Sequence, residues 1–506
     1  MKIVTSSEMQ KIDERAVRDF FISRSKLMEN AGTAVVRTME RLYPDLSKKK
    51  VFIVAGRGNN AGDGFVAGRL LKEKGCVMAV CLIDKEAELK EEALLNYERL
   101  KELGDVFFRY EPAIFRRAVK TCDIIIDALF GTGIHSTLRS PYIEVIRAIN
   151  HSSKEVISID IPSGIDGDSG KKQGAAVHAT HTVTFGLPKT GLFLFPGQNH
   201  VGKLYIENIG FPKDLLDSTD SSLSLPEAKD FRGKLPKRLK SMHKGGAGHL
   251  LMIAGSPGKI GAAAISAKAA FRSGAGLLTL FTDRKYIKLI FSQVKEAFVD
   301  EVPKKESDFK KVLGDVDAIA IGPGIGFSKT SENLVKWVIH SSEAPVILDA
   351  DALTIVSKHL EWLKKAKSSL ILTPHPGEMA RLMKKTSREV QENRLEHATS
   401  FAKKYGVFIA LKGANTVIAS PKGEISINAT GNPAMATAGM GDVLTGMITA
   451  FIGQGMEPYD AVSSAVFLHG QLADDWVEAH HASRGLLASD IIEMIPSGME
   501  KLFFNL

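Results

Sequence analysis

The sequence is poor in cysteine and lacks a long apolar run. Of its 506 residues only Cys76, Cys81 and Cys122 are cysteines, and none of them forms a CxxC pair. Such a sparse, odd set argues against a disulfide framework and against a structural zinc site. We find no uninterrupted apolar stretch of about 18 residues and no apolar secretory signal near the start. We therefore expect a cytoplasmic protein without a membrane span.

Charge of one sign is not concentrated anywhere in the chain. The sequence holds 66 Lys and Arg against 58 Asp and Glu, which gives a formal net charge of +8. This mild excess suits an enzyme with anionic substrates as well as a nucleic-acid binder. No long basic tract carries interleaved aromatics, and we interpret residues 48–50 and 234–240 as solvated surface. We therefore expect no nucleic-acid partner.

Apolar runs alternate with helix-like stretches along most of the chain, which predicts crossover connections and mostly parallel sheets. Thr5 and Glu8 fit a capping box at the start of a first helix. The pattern lapses over a segment rich in Ser and Asp, which predicts a linker. We therefore predict two α/β domains without an internal repeat, at 1–213 and 229–506, with the linker at 214–228. The expected strands lie at 51–56, 77–83, 123–130, 155–162 and 180–186, then at 249–255, 276–282, 317–322, 344–350, 369–374 and 407–413.

A glycine-rich turn follows the first expected strand. Gly56, Gly58 and Ala61 satisfy the loose dinucleotide fingerprint, and Asp84 ends the next strand at a suitable distance for a ribose hydroxyl. Taken alone, this pattern indicates an NAD-dependent oxidoreductase. The signal is weak because glycine-rich turns between strand and helix are common, and the chain offers no evident partner for hydride transfer.

Polar side chains follow three expected strands of the first domain. Asn59, Asn60 and Asp63 crowd the glycine-rich turn, and further polar residues end the runs DALFGTG and SIDIPSGID. Ligands of open α/β sheets bind beyond the carboxyl ends of the strands, so these side chains should converge. Amide, hydroxyl and carboxylate oxygens suit a hard cation or a polyhydroxylated substrate. The additional candidates are Asp127, Asp160, Ser163 and Asp166.

The segments GNNAGDG, DALFGTG and SIDIPSG, in this order, resemble the epimerase domain of NAD(P)HX repair enzymes, which act on the hydrated form of NAD(P)H. The resemblance covers 1–213 and implies a Rossmann-like domain in which Asp160 is catalytic. One departure is Ala61, where that family usually has Gly. The resemblance implies a potassium site at Asn60, Asp127 and Ser163. It implies substrate contacts at Asn59, Asn60, Ala61, Gly62, Asp63, Gly131, Thr132, Gly133, Ile134, His135, Ser136, Thr137 and Asp160.

The segment NATGNPAMATAGMGDVLTG at 428–446 is the richest in the second domain. It places Gly439, Gly441 and Asp442 at the start of an apolar helix, where free N–H groups and the helix dipole bind anions. An Asp there can deprotonate a hydroxyl while the N–H groups stabilise a transferring phosphoryl group. The chain has no P-loop, since GSPGK at 255–259 lacks the spacing and the final Ser or Thr.

This helix start resembles the Gly-Asp signature of ribokinase-like kinases. Together with AIGPGIG, LDADAL, LTPHPGEMARL, LKGANTVIA and HKGGAGHLLMIAGS, it resembles the ADP/ATP-dependent NAD(P)HX dehydratase over 229–506. Met440 and Ala434 depart from the usual Thr and Gly. The resemblance implies nucleotide contacts at Lys412, Gly413, Ala414, Asn415, Thr416 and Gly441. It implies substrate contacts at Ala262, His375, Asp442 and one of Gly324 and Gly326, with Asp442 as the base.

Taken together, the two resemblances imply an α/β protein of two three-layer αβα domains that repairs NADHX and NADPHX. One domain would interconvert the R and S epimers. The other would phosphorylate the hydroxyl of the S epimer with ADP or ATP and eliminate phosphate. Potassium and magnesium ions are the implied cofactors, and a homo-oligomer is implied as well.

Two alternatives stay open besides the oxidoreductase. One is a ribokinase-like kinase of a vitamin precursor with a non-catalytic N-terminal binding domain. The other is a binding module that contacts messenger RNA.

Overall fold

The computed structural model describes residues 1–104, 106–134 and 136–504. The chain divides into two compact units, Lys2–Ser221 and Ser222–Leu506 with Met1. The division falls inside 214–228, the segment expected to be a linker. This segment holds more regular structure than its composition predicts, because a short helix ends in it and a two-residue strand lies within it.

The first unit is built on a parallel sheet of seven strands among the described residues, in the order β3-β2-β1-β4-β5-β6-β7. The chain reverses its direction of winding between β1 and β4, which is the switch point where Rossmann-like sheets open a cleft. All five expected strands of this unit are present, and β3 and β7 are additional. The bounds are β1 Lys50–Ala55, β2 Val77–Leu82, β3 Val106–Arg109, β4 Ile124–Ala128, β5 Glu155–Ile159, β6 His181–Phe185 and β7 Lys203–Glu207.

Helices cover both faces of this sheet. Along β1, Val51, Ile53 and Ala55 enter one apolar cluster, while Phe52 and Val54 enter another on the opposite face. Successive side chains of a strand point to opposite faces, so the two clusters define a three-layer αβα unit. The helices are α1 Ser6–Phe20, α2 Arg24–Leu42, α3 Asn59–Glu73, α4 Glu91–Lys101, α5 Pro112–Thr121, α6 Tyr142–Asn150, α7 Gln198–Val201 and α8 Lys213–Asp217.

The capping box expected at the first helix is confirmed. The Thr5 hydroxyl accepts a hydrogen bond from the Glu8 backbone N–H at 3.2 Å, and the Glu8 carboxylate accepts one from the Thr5 backbone N–H at 2.7 Å. The same segment pairs with the loop after β6, because Val4 forms a parallel bridge with Lys189. The start of the chain thereby fixes the position of Lys189.

The second unit has a ten-stranded sheet in the order β11-β10-β9-β12-β13-β14-β15-β16-β17-β8, again counting described residues. The six expected strands are present and parallel, while β15, β16 and β17 form an antiparallel meander that the sequence pattern did not predict. The bounds are β8 Leu223–Ser224, β9 His249–Ile253, β10 Leu277–Thr282, β11 Phe298–Glu301, β12 Ala318–Ile321, β13 Val346–Leu348, β14 Leu370–Leu372, β15 Phe408–Leu411, β16 Thr416–Ala419 and β17 Ile425–Asn428.

One large apolar cluster packs helices against this sheet. Leu250 and Met252 of β9 join it, whereas Leu251 and Ile253 point to the other face and are equally buried. The helices are α9 Ile260–Arg272, α10 Ile287–Gln293, α11 Glu306–Leu313, α12 Lys329–Ser341, α13 Asp351–Val356, α14 Pro376–Met383, α15 Ser387–Glu392, α16 Arg394–Tyr405, α17 Met440–Gly453, α18 Pro458–His480 and α19 Ala488–Met499.

The structure also describes the cysteines and the apolar character of the helices. The three cysteines are free and buried, as small core residues should be. Within the described ranges, no helix has the length and apolar character needed to cross a membrane.

The contact between α9 and α17 depends on a glycine. A Cβ atom at Gly446 would lie 2.3 Å from the Ser266 carbonyl oxygen and 2.8 Å from the Cβ of Ala269. We therefore expect Gly446→Ala to lower the free energy of unfolding of this unit by about 2 kcal/mol, because overpacking forces the helices apart. Thermal unfolding followed by circular dichroism checks this result. Gly261→Ala is the control, since a Cβ at Gly261 would have no neighbour within 4 Å; equal midpoints for the two variants would contradict the prediction.

Candidate active sites

The carboxyl ends of β1, β4 and β5 bring Asn60, Asp127 and Ser163 together, as predicted. Asp127 is fully buried and its Oδ2 accepts hydrogen bonds from the Ser158 hydroxyl at 2.7 Å and the Ser163 backbone N–H at 2.9 Å. The Phe130 carbonyl oxygen accepts hydrogen bonds from the Asn60 amide at 2.9 Å and the Ser163 hydroxyl at 3.2 Å. The three side chains therefore surround one short loop.

The oxygen atoms of this cluster are of the kind that a hard monovalent cation prefers. One carboxylate, one amide and one hydroxyl lie beside a backbone carbonyl, and burial raises the pKa of Asp127 while hydrogen bonds from Ser163 and Ser158 oppose the shift. A nearby cation would offset the cost of burying the charge of this carboxylate. In the described part of the chain, no group of three or more His, Cys, Asp or Glu side chains is placed to hold a metal ion. Oxygen donors of this kind suit a hard cation better than a soft transition metal.

Asp160 follows β5 in a left-handed backbone conformation, with φ at 64°. Its Oδ1 accepts hydrogen bonds from the Lys189 ammonium at 2.5 Å and the Thr184 hydroxyl at 3.0 Å. Lys189 is 1% exposed. Non-glycine residues rarely adopt this conformation, and strained backbone concentrates at functional sites. The carboxylate is thus placed at the strand end by the backbone and fixed by a buried cation.

Two further acids share the electrostatic environment of Asp160. Burial raises the pKa of Asp63 well above its ordinary value, and the charges of Asp160 and Asp13 add to the shift. Desolvation by the surrounding protein raises the pKa of Asp13 to about 6, although part of that side chain is open to solvent. Lys189 lowers both values. The cleft therefore contains three carboxyl groups and one buried ammonium.

The expected substrate segments lie beside this cluster. Residues 59–63 form the first turn of α3, and 131–134 follow β4, whereas 136–137 are exposed. His135 lies outside the described residues. Asp84, the expected ribose ligand of an oxidoreductase, accepts a hydrogen bond from the Tyr142 hydroxyl.

The second site centres on the start of α17. Gly439 precedes the helix in a left-handed conformation with φ at 91°, and no side chain caps the helix N-terminus. The backbone N–H groups of the first turn are therefore available to an anion. Burial raises the pKa of Asp442 to about 6, the charge of Asp349 adds to the shift, and Lys412 opposes it.

Lys412 and the buried Asp349 form an ion pair next to this helix start. The Lys412 Nζ donates to Asp349 Oδ1 at 2.7 Å, and a Cβ on Gly441 would lie 3.3 Å from the same Nζ. Asp349 also accepts hydrogen bonds from Thr373 at 2.7 Å and Thr445 at 2.8 Å. Burial acts to lower the pKa of Lys412, but the charges of Asp349 and Glu378 outweigh it and the pKa is raised. Lys412 therefore stays a cation beside the anion-binding turn.

A buried arginine supports the loop 412–416. The Arg394 guanidinium is 4% exposed and donates to the carbonyl oxygens of Leu411 at 2.7 Å and Lys412 at 3.3 Å. Gly413 has φ at 136°, and a Cβ there would lie 3.0 Å from Arg394 Nη1. The Thr416 hydroxyl closes the turn on the Gly413 carbonyl oxygen at 3.0 Å. The loop is therefore preformed, with Ala414 exposed and Asn415 buried.

His375 and Glu378 begin α14 on the other side of Lys412. His375 Nδ1 accepts from the Gly377 backbone N–H at 3.0 Å, and the Glu378 carboxylate accepts from the His375 backbone N–H at 2.8 Å. Burial lowers the pKa of His375, and Lys412 adds to that effect. Burial raises the pKa of Glu378 to about 7. A neutral imidazole and a readily protonated carboxyl therefore line this side.

Gly324 and Gly326, one of which the sequence analysis expects to contact the substrate, have different neighbours. A Cβ on Gly324 would lie 3.6 Å from the Cβ of Ala262, whereas the Gly326 N–H donates to Asp351 Oδ2 at 2.9 Å. Asp351 also pairs with Lys259 at 2.9 Å. Gly324 is therefore the glycine that lies next to Ala262, whereas Gly326 is held by its hydrogen bond to Asp351.

Several residues of the two sites were absent from the sequence-based prediction. Lys189, Asp349, Arg394 and Glu378 each contact a predicted site residue or its loop. Asp349 and Glu378 lie inside the motifs LDADAL and LTPHPGEMARL, which carry the resemblance to the dehydratase, so their charge was an available signal. Lys189 and Arg394 carry no such signal.

The Lys412–Asp349 pair makes a prediction about stability. Asp349→Asn should lower the free energy of unfolding by about 3 kcal/mol, because it leaves a buried ammonium without its anion. The double variant Asp349→Asn with Lys412→Met should cost less than the sum of the two single variants. Urea unfolding of all four proteins measures the coupling. Strict additivity would contradict a direct interaction between the two side chains.

Comparison with known proteins matches both units. The family model described as YjeF-related protein N-terminus matches residues 24–191, and the model described as NAD(P)H-hydrate dehydratase matches residues 250–497. A bifunctional NAD(P)H-hydrate repair enzyme of Moorella thermoacetica is 36% identical over 516 residues, covering 99% of this chain and 97% of that protein.

Two solved structures resemble one part of the chain. A ribokinase-like superfamily protein of Enterococcus faecalis is 28% identical with a TM-score of 0.50, covering 56% of this chain and 98% of the other. An ADP/ATP-dependent NAD(P)H-hydrate dehydratase of Bacillus subtilis, co-crystallized with ATP and Mg²⁺, is 36% identical with a TM-score of 0.49, covering 55% of this chain and 98% of the other.

The relative from Moorella thermoacetica aligns along nearly the entire length of both proteins, and the two matched family models lie in separate units of the structure. The expected fold class, a Rossmann-like unit followed by a ribokinase-like unit, is confirmed. The chain therefore belongs to the family of bifunctional NAD(P)H-hydrate repair enzymes.

Proposed function

We propose that this protein interconverts the epimers of NADHX and NADPHX in its first unit and dehydrates the S epimer to NAD(P)H in its second unit, with ADP or ATP as co-substrate. The observation that carries the proposal is the pair of clusters at strand ends, one around Asp160 and one around Asp442, in a chain that matches the family over 99% of its length. We assign the epimerase to 1–213, the linker to 214–228 and the dehydratase to 229–506.

Epimerisation requires the hydroxyl-bearing carbon beside the ring nitrogen to lose and regain its oxygen. In the first step the nitrogen lone pair expels the hydroxyl, which takes up a proton and leaves as water. In the second step water adds to the opposite face of the ring at the same carbon and gives up a proton. A carboxyl group at the oxygen exchanges these protons. Asp160 fills this role, and residues 59–63 and 131–137 bind the rest of the substrate. Asn60, Asp127 and Ser163 would hold the potassium ion, which when bound supplies positive charge next to this segment.

Dehydration requires the hydroxyl of the S epimer to become a better leaving group. Asp442 accepts the hydroxyl proton as the oxygen attacks the terminal phosphoryl group, and the ring nitrogen lone pair then expels phosphate. The free N–H groups at Gly441 and the Lys412 ammonium stabilise the charge on the transferring group. Magnesium, when bound with the nucleotide, would neutralise phosphate charge.

The remaining contacts follow from the placement of the side chains. Lys412, Gly413, Ala414, Asn415, Thr416 and Gly441 would bind the nucleotide, and Ala262, Gly324 and His375 would line the substrate pocket. Three free, buried cysteines suit a reducing compartment, which supports a cytoplasmic location. We also propose a homo-oligomer, on the likeness to the family.

Substitution of each proposed catalytic carboxylate should separate the two activities. We expect Asp160→Asn to slow interconversion of the epimers by about 10²–10⁴-fold and to leave dehydration of the S epimer intact, and Asp442→Asn to do the reverse. The measurement is conversion of each purified NADHX epimer, with and without ATP, by chromatography. Asp84→Asn is the matched control at a strand end without a proposed role. The assignment would be contradicted if either variant lost both activities, or if either variant kept both.

The raised pKa of Asp442 predicts how dehydration depends on pH. A base must be ionised to act, and a carboxyl whose pKa is about 6 takes up a proton at a higher pH than an ordinary aspartate. The kcat/KM for dehydration should therefore fall as the pH drops through about 6, and protonation of Glu378, with a pKa of about 7, adds to the fall. In the Glu378→Gln variant, the part of the fall in kcat/KM that comes from protonation of Asp442 should persist. A rate that stays level down to about pH 4.5 would contradict the assignment of the base.

A further inference from the structure

The Lys189 ammonium is a fixed part of the first site. Its three N–H donors are all used, on Asp160 Oδ1 at 2.5 Å, Thr184 Oγ1 at 3.1 Å and the Phe185 carbonyl oxygen at 3.0 Å. A Lys side chain that is 1% exposed cannot exchange these partners for water. Removing a lysine from water is costly, so such a residue is kept where its charge has a use.

The backbone around Lys189 is held as firmly as its side chain. The Val4 N–H donates to the Pro188 carbonyl oxygen at 3.0 Å, and the Thr190 N–H donates to the Val4 carbonyl oxygen at 2.9 Å. These bonds flank Lys189 on both sides. Its ammonium therefore approaches Asp160 from a preorganised position.

The bonds to Asp160 fall on one oxygen. Oδ1 accepts from both Lys189 and Thr184, and no described residue donates a hydrogen bond to Oδ2. The Asp160 N–H is bound to the Val183 carbonyl oxygen at 2.7 Å, which fixes the backbone as well. One carboxylate oxygen is thus anchored, and the other is left for a ligand.

The charges around this carboxylate come from several elements. Asp13 lies on α1, Arg24 begins α2 and acts on Asp13, Asp63 lies on α3, and Lys189 follows β6. Lys189 is hydrogen-bonded to Asp160 and not to Asp13 or Asp63, whose pKa values are raised mainly by burial. Of these three acids, Asp160 is therefore the one that the buried cation binds directly.

We propose that Lys189 is a positioning residue for epimerisation, which holds the Asp160 side chain through Oδ1 and leaves Oδ2 to accept a proton from the substrate oxygen. The inference rests on the function proposed above and sharpens it. Asp160 takes the proton of the water that adds to the ring, and the hydroxyl that departs takes a proton from solvent and leaves as water. One C–O bond breaks and one forms, and Asp160 returns its proton to solvent, so no proton is gained or lost overall.

The test uses the full-length protein and two substitutions of one residue. Lys189→Met removes the charge at similar length, and Lys189→Arg keeps it. Interconversion of purified NADHX epimers is followed without nucleotide, so that the second unit does not consume the S epimer, and kcat and KM are measured across the pH range. Dehydration of the S epimer with ATP, and the thermal midpoints, are recorded for the same preparations.

We expect Lys189→Met to lower kcat about tenfold or more near neutral pH, with little change in KM. In a plot of kcat against pH, the fall at low pH should move upward by about one pH unit, because the carboxylate must ionise without its cation. Part of the lost rate should return at higher pH. Lys189→Arg should keep the acidic limb of the wild type. Dehydration should be unchanged in both variants.

Other outcomes overturn the proposal. A Lys189→Met protein that is slower but keeps the wild-type acidic limb would show that Lys189 only supports the fold. If Lys189→Met does not fold, the arginine variant decides, because a shifted acidic limb there contradicts a role for the charge and an unshifted one supports it. A wild type that does not interconvert the epimers at any pH overturns the proposed epimerase function itself, and this inference with it.

Discussion

A lysine paired with an aspartate, where one of the two side chains is fully buried, is the interaction on which each of the two sites depends. In the first unit Lys189 binds Asp160 at 2.5 Å, and in the second unit Lys412 binds Asp349 at 2.7 Å. A buried charge without a partner costs several kcal/mol, so the two side chains of each pair hold one another in place. The fold is therefore obliged to place one carboxylate and one ammonium at the same strand end. The two units put this pair to different uses, since the aspartate is the proposed reacting group in one and the support of a cation in the other.

Parallel sheets bring such groups together because their strand ends lie side by side, but the loops must also approach one another closely. A Cβ on Gly56, after β1, would lie 2.2 Å from the Leu129 carbonyl oxygen, and a Cβ on Gly322, after β12, would lie 1.8 Å from the Asp349 carbonyl oxygen. In both units the missing side chain lets the loop of a neighbouring strand pass at contact distance. The glycines at the strand ends thus control the width of each cleft.

What the sequence predicts well is the position of buried strands and of the polar residues that follow them. Every run of apolar residues that we assigned became a strand, because strands buried on both faces leave a continuous apolar signature. Strand β11 was missed for the opposite reason, since its residues are only partly buried and FVDE carries no apolar run. Strand β16, Thr416–Ala419, lies inside the motif LKGANTVIA, which we interpreted as a nucleotide loop.

The ion pairs could not be predicted because they join residues that are distant in the chain. Lys189 lies 29 residues from Asp160, and Lys412 lies 63 residues from Asp349. No periodicity links such positions, and a lysine in LPKTG is indistinguishable from a surface lysine until the strands are arranged. Arg394 is similar, since only the folded loop shows which carbonyl oxygens it holds. The groups proposed to react are marked by local motifs, whereas the groups proposed to position them are marked only by the fold.

The balance of charge in the second site also bears on what must accompany the nucleotide. Asp349, Glu378 and Asp442 surround Lys412, so acidic groups already outnumber the basic one before any phosphate arrives. Burial raises the pKa values of Glu378 and Asp442, and the neighbouring charge of Asp349 adds to both shifts. The phosphate groups of a bound nucleotide would add further negative charge. The helix start is equivalent to roughly half a positive charge, which is too little to offset it. A divalent cation entering with the phosphates removes the conflict, which is the physical reason to expect magnesium here. It would also favour the ionised form of Asp442, so that the base is in its active form when the nucleotide is bound.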